Sequence, residues 1–202
     1  YIPPLPSVYW FDITRVCNLK CVMCPQSKGL KPLREKMPID VFRRVIDDVC
    51  ENQPLVKLYL SGEPLFHEGL FEMIEYAGAR GGRTMIHTNA TALTRETAER
   101  LLSSSLTFLC FSFDGCSAEV YERLRPPARF ERVRSNIEQF LSLRRQRGGA
   151  GPQTTIEIIH MEDTAEFLDN FVAEWRSKGA DDVHVVPYTT WHGLVDNRRV
   201  GT

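Results

Sequence analysis

The sequence predicts an α/β fold, a partial (βα)6 TIM-like barrel with a parallel sheet and an active site at the carboxyl ends of its strands. Short apolar segments alternate six times with amphipathic segments along the 202 residues, which is the pattern of parallel β/α units with right-handed crossovers. The segment 107–113 is an almost continuous apolar run, as in strands covered on both faces. Polar residues and glycines follow the strands, where barrel enzymes place their active sites.

The predicted strands contain many β-branched and aromatic residues, which suit a pleated and largely buried surface. They cover residues 8–14, 55–60, 83–88, 107–113, 154–160 and 182–187. No glycine-rich dinucleotide fingerprint follows the first strand, and this favours a barrel over a dinucleotide-binding sheet.

The helices between the strands are predicted from apolar residues at positions i, i+3, i+4 and i+7 and from capping residues. Pro38 begins the first helix, and Thr94 and Ser117 cap two later ones. Asp163 and Glu166 resemble a capping box for the last helix. The side chains expected to be buried are Phe42, Val45, Ile46, Val49, Leu70, Phe71, Ile74, Ala77, Ala98, Leu101, Leu102, Val133, Ile137, Phe140 and Leu141.

Charge and hydropathy exclude two classes of partner. The formal net charge is −1, so no overall field would attract nucleic acid or an anionic membrane. The arginines in 123–134 and 144–147 fit solvated helix faces better than a phosphate-binding patch. No apolar run approaches the roughly 20 residues that a membrane span needs. We therefore expect neither a nucleic-acid nor a membrane partner.

Three of the six cysteines are crowded into one loop after the first strand, in the spacing C-x3-C-x2-C. A structural zinc ion takes four protein ligands and an iron–sulfur cube usually takes four thiolates, so three thiolates would leave one metal position open. The loop cysteines are Cys17, Cys21 and Cys24. A zinc site with His67 or His87 as a distant fourth ligand is the alternative. Clustered cysteines of this kind favour a reducing, cytoplasmic location.

The other three cysteines are scattered, and polar segments follow the remaining strands. Cys50 and Cys110 lie in apolar patterns typical of buried thiols, whereas Cys116 follows a turn. The polar segments are 61–64, 87–90, 112–115, 160–161 and 187–192. Because the carboxyl ends of parallel strands meet at one side of a barrel, these segments should surround a single opening.

The order of three motifs resembles that of the radical S-adenosylmethionine (radical SAM) superfamily. They are the cysteine loop after strand one, Gly62-Glu63-Pro64 after strand two, and Ser112-Phe-Asp-Gly after strand four. The segments 88–90 and 121–125 are similar to those of members with a C-terminal SPASM or twitch extension. The resemblance implies one core domain over residues 1–202, followed in the native protein by such an extension.

The resemblance also implies the chemistry. Cys17, Cys21 and Cys24 would hold a [4Fe–4S] cluster whose open iron chelates S-adenosylmethionine. A reduced flavodoxin or ferredoxin would supply an electron that cleaves S-adenosylmethionine to methionine and a 5′-deoxyadenosyl radical. That radical would abstract hydrogen from a peptide or a small polar, sugar-like substrate. Fold alone does not identify the substrate.

Further residues match family positions that contact S-adenosylmethionine. Gly62 and Glu63 match the turn that meets its amino group, and Arg125 matches an arginine that pairs with its carboxylate. Both assignments suit the chemistry, because a carboxylate binds an ammonium and a guanidinium binds a carboxylate. The positions implied to line the rest of the cofactor are Met23, Asn89, Ser112 and Val186.

Plainer interpretations compete with several of these roles. Glu63 could be a surface turn residue, Arg125 could be solvated, and Asp114-Gly115 fits an ordinary turn, so Ser112 is the stronger candidate there. Two histidines, His160 and His192, fit structural roles better than a substrate pocket. Tyr188 and Trp191 could pack against a missing C-terminal segment or stack on substrate. For the whole chain, the competing functions are a zinc-stabilised, non-catalytic binding module and a degenerate core that keeps its cluster without turnover.

Overall fold

A computed structural model describes residues 6–28 and 35–199 and contains one sheet of six parallel strands. The strands pair in chain order, each with the next. They are β1 (Val8–Trp10), β2 (Leu55–Lys57), β3 (Arg83–Thr88), β4 (Phe108–Ser112), β5 (Gln153–His160) and β6 (Asp182–Pro187). Since β1 and β6 each pair with a single neighbour among the described strands, the sheet is open and the partial (βα)6 barrel is confirmed.

Six α-helices cover one face of this sheet. They are α1 (Ile39–Val49), α2 (Leu70–Gly78), α3 (Arg95–Ser103), α4 (Ala118–Leu124), α5 (Phe130–Gln146) and α6 (Leu168–Ser177). Short 3-10 turns cover Pro25–Ser27, Cys50–Asn52, Pro64–Phe66 and Ala165–Phe167. Within the described ranges, no helix combines the length and the apolar character that a membrane span requires.

The two faces of the sheet differ in burial. On the central strands β2 to β5, most side chains that point toward the helices are buried, and aromatic contacts such as Phe11 with Phe42 and Phe111 with Phe140 join the two layers. The opposite, inner face carries polar and half-buried side chains such as Lys57, and it forms the concave side of the partial barrel. The alternation follows from the two-residue period of a strand.

The first two strands are shorter than the sequence predicts. Residues 8–14 and 55–60 were expected to be strands, but the ladders end at Trp10 and Lys57. Beyond them the Asp12 carboxylate accepts hydrogen bonds from the backbone N–H and the hydroxyl of Ser61. Thr14 forms an isolated antiparallel bridge with Lys36. These contacts with distant segments of the same chain replace the regular hydrogen-bond ladder of the strands. The hydropathy pattern of the sequence does not indicate them.

The prediction of a capping box at Asp163 and Glu166 is wrong. Helix α6 begins only at Leu168, after the 3-10 turn, and has no side-chain cap. The Asp163 carboxylate instead accepts hydrogen bonds from Arg123 and Arg198, each at 2.8 Å. A carboxylate engaged by two guanidinium groups has little capacity left to cap a helix.

The other helix predictions hold except for the burial of three side chains. Thr94 and Ser117 are N-caps, and their hydroxyls accept the backbone N–H of Thr97 and Val120. Val45 was expected to be buried but is 38% exposed, and Phe71 and Val49 are only partly buried. The remaining predicted core residues are buried.

Candidate active site

The cysteine loop leaves the sheet after β1 and is ordered by its own backbone. The backbone N–H of Cys24 donates to the carbonyl of Cys21 (3.1 Å). The hydroxyl of Ser27 donates to the carbonyls of Cys21 (2.8 Å) and Cys24 (2.7 Å). All six cysteines of the chain are free thiols; Cys17 is exposed, and the other two loop cysteines are half-buried. The loop is therefore a preformed turn that presents three thiols.

The end of helix α4 holds the middle of this loop. The backbone N–H of Lys20 donates to the carbonyl of Pro126 (2.7 Å), and that of Val22 donates to the carbonyl of Leu124 (2.9 Å). Met23 is buried in a small cluster with Leu124, Met161, Tyr188 and Val195. These contacts fasten the loop to α4 on one side and to the chain after β6 on the other.

The turn after β2 holds the start of the loop. The backbone N–H of Glu63 donates to the carbonyl of Val16 (2.9 Å). A Cβ atom at Gly62 would lie 2.3 Å from the carbonyl oxygen of Thr14 and 2.8 Å from that of Val16. Only glycine lets two backbone segments approach so closely. In this structure Gly62 therefore serves contact between protein segments, a use that the motif alone does not reveal.

The Glu63 carboxylate is buried and ties β2 to β3. One oxygen accepts the Thr88 hydroxyl (2.7 Å) and the backbone N–H of Leu65 (3.2 Å), and the other accepts the backbone N–H of Asn89 (2.7 Å). The interpretation of Glu63 as a surface turn residue is wrong, since it is 2% exposed. Burial raises the pKa of Glu63 to about 6, and the hydrogen bonds from Thr88, Asn89 and Leu65 oppose that rise.

Asn89 lies directly against the loop. Its side-chain amide donates to the Cys17 sulfur (3.8 Å between nitrogen and sulfur) and to the side-chain oxygen of Asn18 (3.2 Å). Its own oxygen accepts both the backbone N–H and the hydroxyl of Thr91. Asn89 thus donates a hydrogen bond to one of the three candidate metal-binding thiols.

Arg125 and Asp114 form a buried ion pair beneath the loop. The Nε and Nη2 atoms of Arg125 lie 2.7 and 2.6 Å from one Asp114 oxygen, and the other oxygen accepts the backbone N–H of Ile159 (2.7 Å). Arg125 is 8% exposed and Asp114 is fully buried, so the interpretations of a solvated arginine and of an ordinary Asp-Gly turn are both wrong. Burial lowers the pKa of Arg125, but Asp114, Cys21 and Tyr121 outweigh it and raise that pKa above its normal value.

Burial opposes the ionisation of two of the loop thiols. Burial raises the pKa of Cys21 to about 11, against an opposing effect of the Arg125 charge. Burial likewise raises the pKa of Cys17. A metal must displace these protons, because the thiolate is the ligand. Arg125 would then compensate part of the negative charge that the deprotonated loop acquires.

The donor set of the loop, three soft thiolates, fits an iron–sulfur cube. Bonds of about 2.3 Å to a tetrahedral zinc would bring thiolate sulfurs about 3.8 Å apart. Among residues 6–28 and 35–199, the one group of three ligand atoms that all lie within 4.8 Å of one another is that of His87, Cys110 and Glu157, so at least one pair of loop sulfurs is farther apart than 4.8 Å. In a cube each thiolate binds a different iron. Three soft thiolates match that donor set.

The histidines proposed as zinc ligands or pocket residues are placed elsewhere. Both ring nitrogens of His67 are used, one against the carbonyl of Met37 (3.0 Å) and one accepting the backbone N–H of Gly69 (3.0 Å). His160 and His192 are exposed, and the structure gives them no contact with the loop. His87 lies on the inner face and stacks on the ring of Tyr59.

Ser112 and Val186 lie on the inner face, at the carboxyl ends of β4 and β6. Ser112 pairs in register with Glu157, and Val186 pairs with Ile159 on the strand between them. Both side chains are half-buried. The structure thus places these two residues on one surface, as the barrel prediction requires. Their contact with a cofactor stays a prediction.

Comparisons with known proteins agree with this geometry. The family model described as the Radical SAM superfamily matches residues 11–170. The AdoMet-dependent heme synthase of Methanosarcina barkeri is 31% identical over 134 residues, which are 66% of this chain and 38% of that protein. The mycofactocin maturase MftC of Mycolicibacterium smegmatis is 27% identical over 176 residues, which are 87% of this chain and 43% of that protein. The chain spans less than half the length of either relative.

Solved structures show the same fold. Streptococcus suis SuiB bound to the precursor peptide SuiA has a TM-score of 0.81 at 19% identity, covering 98% of this chain and 43% of that one. A crystal structure of SuiB bound to S-adenosylmethionine has the same TM-score and identity. The motif order, the open parallel sheet and the family match over residues 11–170 agree. The chain belongs to the Radical SAM superfamily.

Proposed function

We propose that this chain is the catalytic core of a radical SAM enzyme that modifies a peptide. It holds a [4Fe–4S] cluster on Cys17, Cys21 and Cys24 and binds S-adenosylmethionine beside it. The observation that carries the proposal is the anchoring of the three-thiol loop from two sides, by the Glu63 turn and by the end of α4. The chemistry supplied by the bound group is reductive cleavage of S-adenosylmethionine and hydrogen abstraction by the resulting 5′-deoxyadenosyl radical.

The role of this chain's own residues is to bind and orient the cluster and S-adenosylmethionine. Arg125, fixed by Asp114, supplies a buried positive charge near the thiolates, and Asn89 donates a hydrogen bond to Cys17. We assign the backbone of Met23 and Val186 to the adenine side of S-adenosylmethionine. The family match over residues 11–170 supports the assignment of Met23, and the position of Val186 near the carboxyl end of β6 supports the other.

Ser112, Gly62 and Glu63 complete the proposed cofactor site. Ser112 contacts the cofactor from the inner face, and the turn of Gly62 and Glu63 meets its amino group. The Glu63 carboxylate already accepts three protein hydrogen bonds, and a carboxylate has about four acceptor positions. One further bond to an ammonium therefore fits its capacity.

A peptide is the substrate class that we propose, on the support of two of the comparisons. The relative named a mycofactocin maturase and the structural neighbour bound to a precursor peptide both point to it. The inner face also offers amphipathic contact surface, because Trp10 is 55% exposed and the Lys57 ammonium lies 4.0 Å from its ring centroid. Exposed aromatic rings with an adjacent charge suit side chains of mixed polarity.

The proposed cluster requires an electron donor and a reducing compartment. We propose a reduced flavodoxin or ferredoxin as donor and a reducing, cytoplasmic compartment. The six free thiols support a reducing environment. The C-terminal extension stays a prediction, which the mass of the native protein would test.

Anaerobic reconstitution with iron and sulfide tests the cluster. The wild-type chain should bind about four iron and four sulfide per chain, as a cube requires. With dithionite and S-adenosylmethionine it should release 5′-deoxyadenosine. C21A should lose both properties, and C116S should keep them as the matched control. Stoichiometric zinc without iron or sulfide would favour the binding module, whereas a cluster without 5′-deoxyadenosine would favour a degenerate core.

A deuterium-labelled panel tests the substrate class separately. Peptides and sugars labelled at carbon are incubated with reconstituted enzyme, dithionite and S-adenosylmethionine. Deuterium in 5′-deoxyadenosine should appear with a peptide. Transfer from a sugar alone would contradict the peptide assignment and leave the radical SAM assignment intact.

A further inference from the structure

A second group of ligand-type side chains lies on the inner face, on strands β3, β4 and β5. His87 and Cys110 are register partners on neighbouring strands. Glu157 stands on the next strand, two residues beyond Thr155, which is the register partner of Cys110. An imidazole nitrogen, the thiol sulfur and a carboxylate oxygen all lie within 4.8 Å of one another.

The three side chains face one another without hydrogen bonds between them. The Nδ1 atom of His87 lies 3.8 Å from a Glu157 oxygen, which is too long for a hydrogen bond. The Nε2 atom of His87 is buried without a partner among the described residues. A buried polar atom without a partner costs free energy and requires an explanation. The stacked ring of Tyr59, with a centroid separation of 3.8 Å, fixes the orientation of the imidazole.

We propose that His87, Cys110 and Glu157 form a binding site for a divalent transition-metal ion of the zinc type. Nitrogen, sulfur and carboxylate oxygen are the donor types that zinc takes, and three protein ligands leave a fourth position open. Bonds of about 2.0–2.3 Å imply ligand separations of about 3.3–3.8 Å around a tetrahedral ion. The three atoms therefore need only a small closure to bind. On binding, the Cys110 thiol proton is released to solvent.

The charges around the group are compatible with a cation. A Cys110 thiolate and a Glu157 carboxylate would together balance the charge of a divalent ion. The basic groups whose charges act on these side chains are Arg125, Lys57 and His184. Arg125 is paired with the buried Asp114 carboxylate. The Lys57 ammonium lies over the Trp10 ring, and the His184 imidazole is bonded to Asp182 (2.8 Å). His87 itself is neutral, because burial lowers its pKa to about 3, and neutral imidazole is the form that binds metals.

Cobalt binding tests the site without the cluster loop. The probe is Co²⁺ added anaerobically to a C17A/C21A/C24A chain, in which the loop thiols cannot contribute. We expect one Co²⁺ per chain with a thiolate-to-cobalt charge-transfer absorption. A C110S change in the same background should abolish that absorption. The matched control is C50S, which removes another buried thiol that lies outside the group. Because the three loop thiols are absent from every variant, failure here would leave the proposed function untouched.

The other ligands give a second readout. H87A and E157Q, in the triple background, should each weaken Co²⁺ binding by at least about ten-fold, since loss of even an outer-shell partner costs about 10–100-fold. Far-ultraviolet circular dichroism checks that each variant is folded. If C110S does not fold, E157Q keeps the proposal testable. Glu157 is partly exposed and glutamine has nearly the same shape as glutamate, so E157Q should fold. Absence of the thiolate absorption in the triple variant, or its persistence in C110S, would overturn the proposal.

Discussion

Asp114 is the residue on which the position of Arg125 depends. It is fully buried and contacts both the guanidinium and the backbone of β5. We predict that D114N lowers the free energy of unfolding by about 3–5 kcal/mol, because removing one partner leaves the other charge buried without compensation. Urea unfolding followed by circular dichroism measures this change.

The control for that variant is E99Q, which breaks the exposed helical pair of Arg95 and Glu99. Such i,i+4 pairs contribute about 0.3–0.5 kcal/mol, so E99Q should be close to wild type. A D114N/R125M double variant should lose less stability than the two single changes added together, since the pair acts as a unit. Similar unfolding free energies for D114N and E99Q would contradict a structural role for the buried pair.

Glu63 should make stability depend on pH in a defined window. Its folded pKa of about 6 lies above the ordinary 4.5, so the folded state keeps a proton that the unfolded state has lost. The folded state is therefore favoured at low pH, and this advantage disappears as pH rises from 4.5 through 6. The difference of about 1.5 between the folded and unfolded pKa values of Glu63 corresponds to about 2 kcal/mol in the free energy of unfolding.

The E63Q variant isolates this effect from the other titrating groups. The unfolding free energy of wild type minus that of E63Q should fall by about 2 kcal/mol between pH 4.5 and pH 7. Urea unfolding at four or five pH values measures the difference. The glutamine side chain of E63Q also lacks one carboxylate oxygen, the acceptor for the backbone N–H of Asn89. This loss changes the unfolding free energy by an amount that does not depend on pH. A difference that stays flat across this window would exclude Glu63 as the titrating group.

At the scale of elements, local chemistry explains which sequence predictions succeeded. The strands β3 and β6 have the predicted limits, and Thr94 and Ser117 cap their helices, because a short stretch of sequence contains the whole signal. The end of β1 and the start of α6 were misplaced, because partners distant in sequence decide them: Asp12 bonds to Ser61, and Asp163 to arginines on two other segments.

The same limit applies to the candidate site. Motif order identified the cysteine loop and the residues around it. The partnership of Asp114 with Arg125 was missed, although both residues were noted, because pattern gives no distance between a turn and a helix end. The group of His87, Cys110 and Glu157 was missed because its members stand on three different strands. Register could have found it, because the three side chains stand at inward-facing positions of adjacent parallel strands: two are register partners, and the third is two residues further along its strand.

The stability of helix α4 should determine how well the cysteine loop is protected from solvent. We predict that S117A and T94A each lower the unfolding free energy by about 1 kcal/mol, since each removes an N-cap hydrogen bond. Only S117A should expose the loop, because the end of α4 accepts the backbone hydrogen bonds of Lys20 and Val22. Anaerobic alkylation of Cys21 in the metal-free protein, followed by mass spectrometry, measures exposure.

The matched pair of variants separates local from global effects. Both lose a cap of the same kind, and α3 makes none of the backbone hydrogen bonds that fix the loop. Faster alkylation in S117A than in T94A supports the coupling. Equal rates in the two variants would show that the loop is held independently of α4.

For the whole molecule, β1 and β6 do not pair with each other, so contacts made by the candidate site connect the two edges of the open sheet. Strands β1 and β6 are at opposite edges of the sheet, yet the cysteine loop after β1 packs through Met23 on Tyr188 and Val195, which follow β6. The loop also contacts the β2 turn and α4. It therefore joins segments that follow the two edge strands of the partial barrel.

A ligand that rigidifies this connection should stabilise the whole chain. Anything that binds the folded state and not the unfolded state raises stability by mass action. We predict that anaerobic reconstitution with iron and sulfide raises the Tm of wild type and of C116S but leaves that of C17A/C21A/C24A unchanged. Differential scanning calorimetry of each protein before and after reconstitution measures the shift. A rise in the triple variant would place the stabilising metal outside the loop. No rise in wild type that has bound iron would mean that the loop does not join the two ends of the sheet.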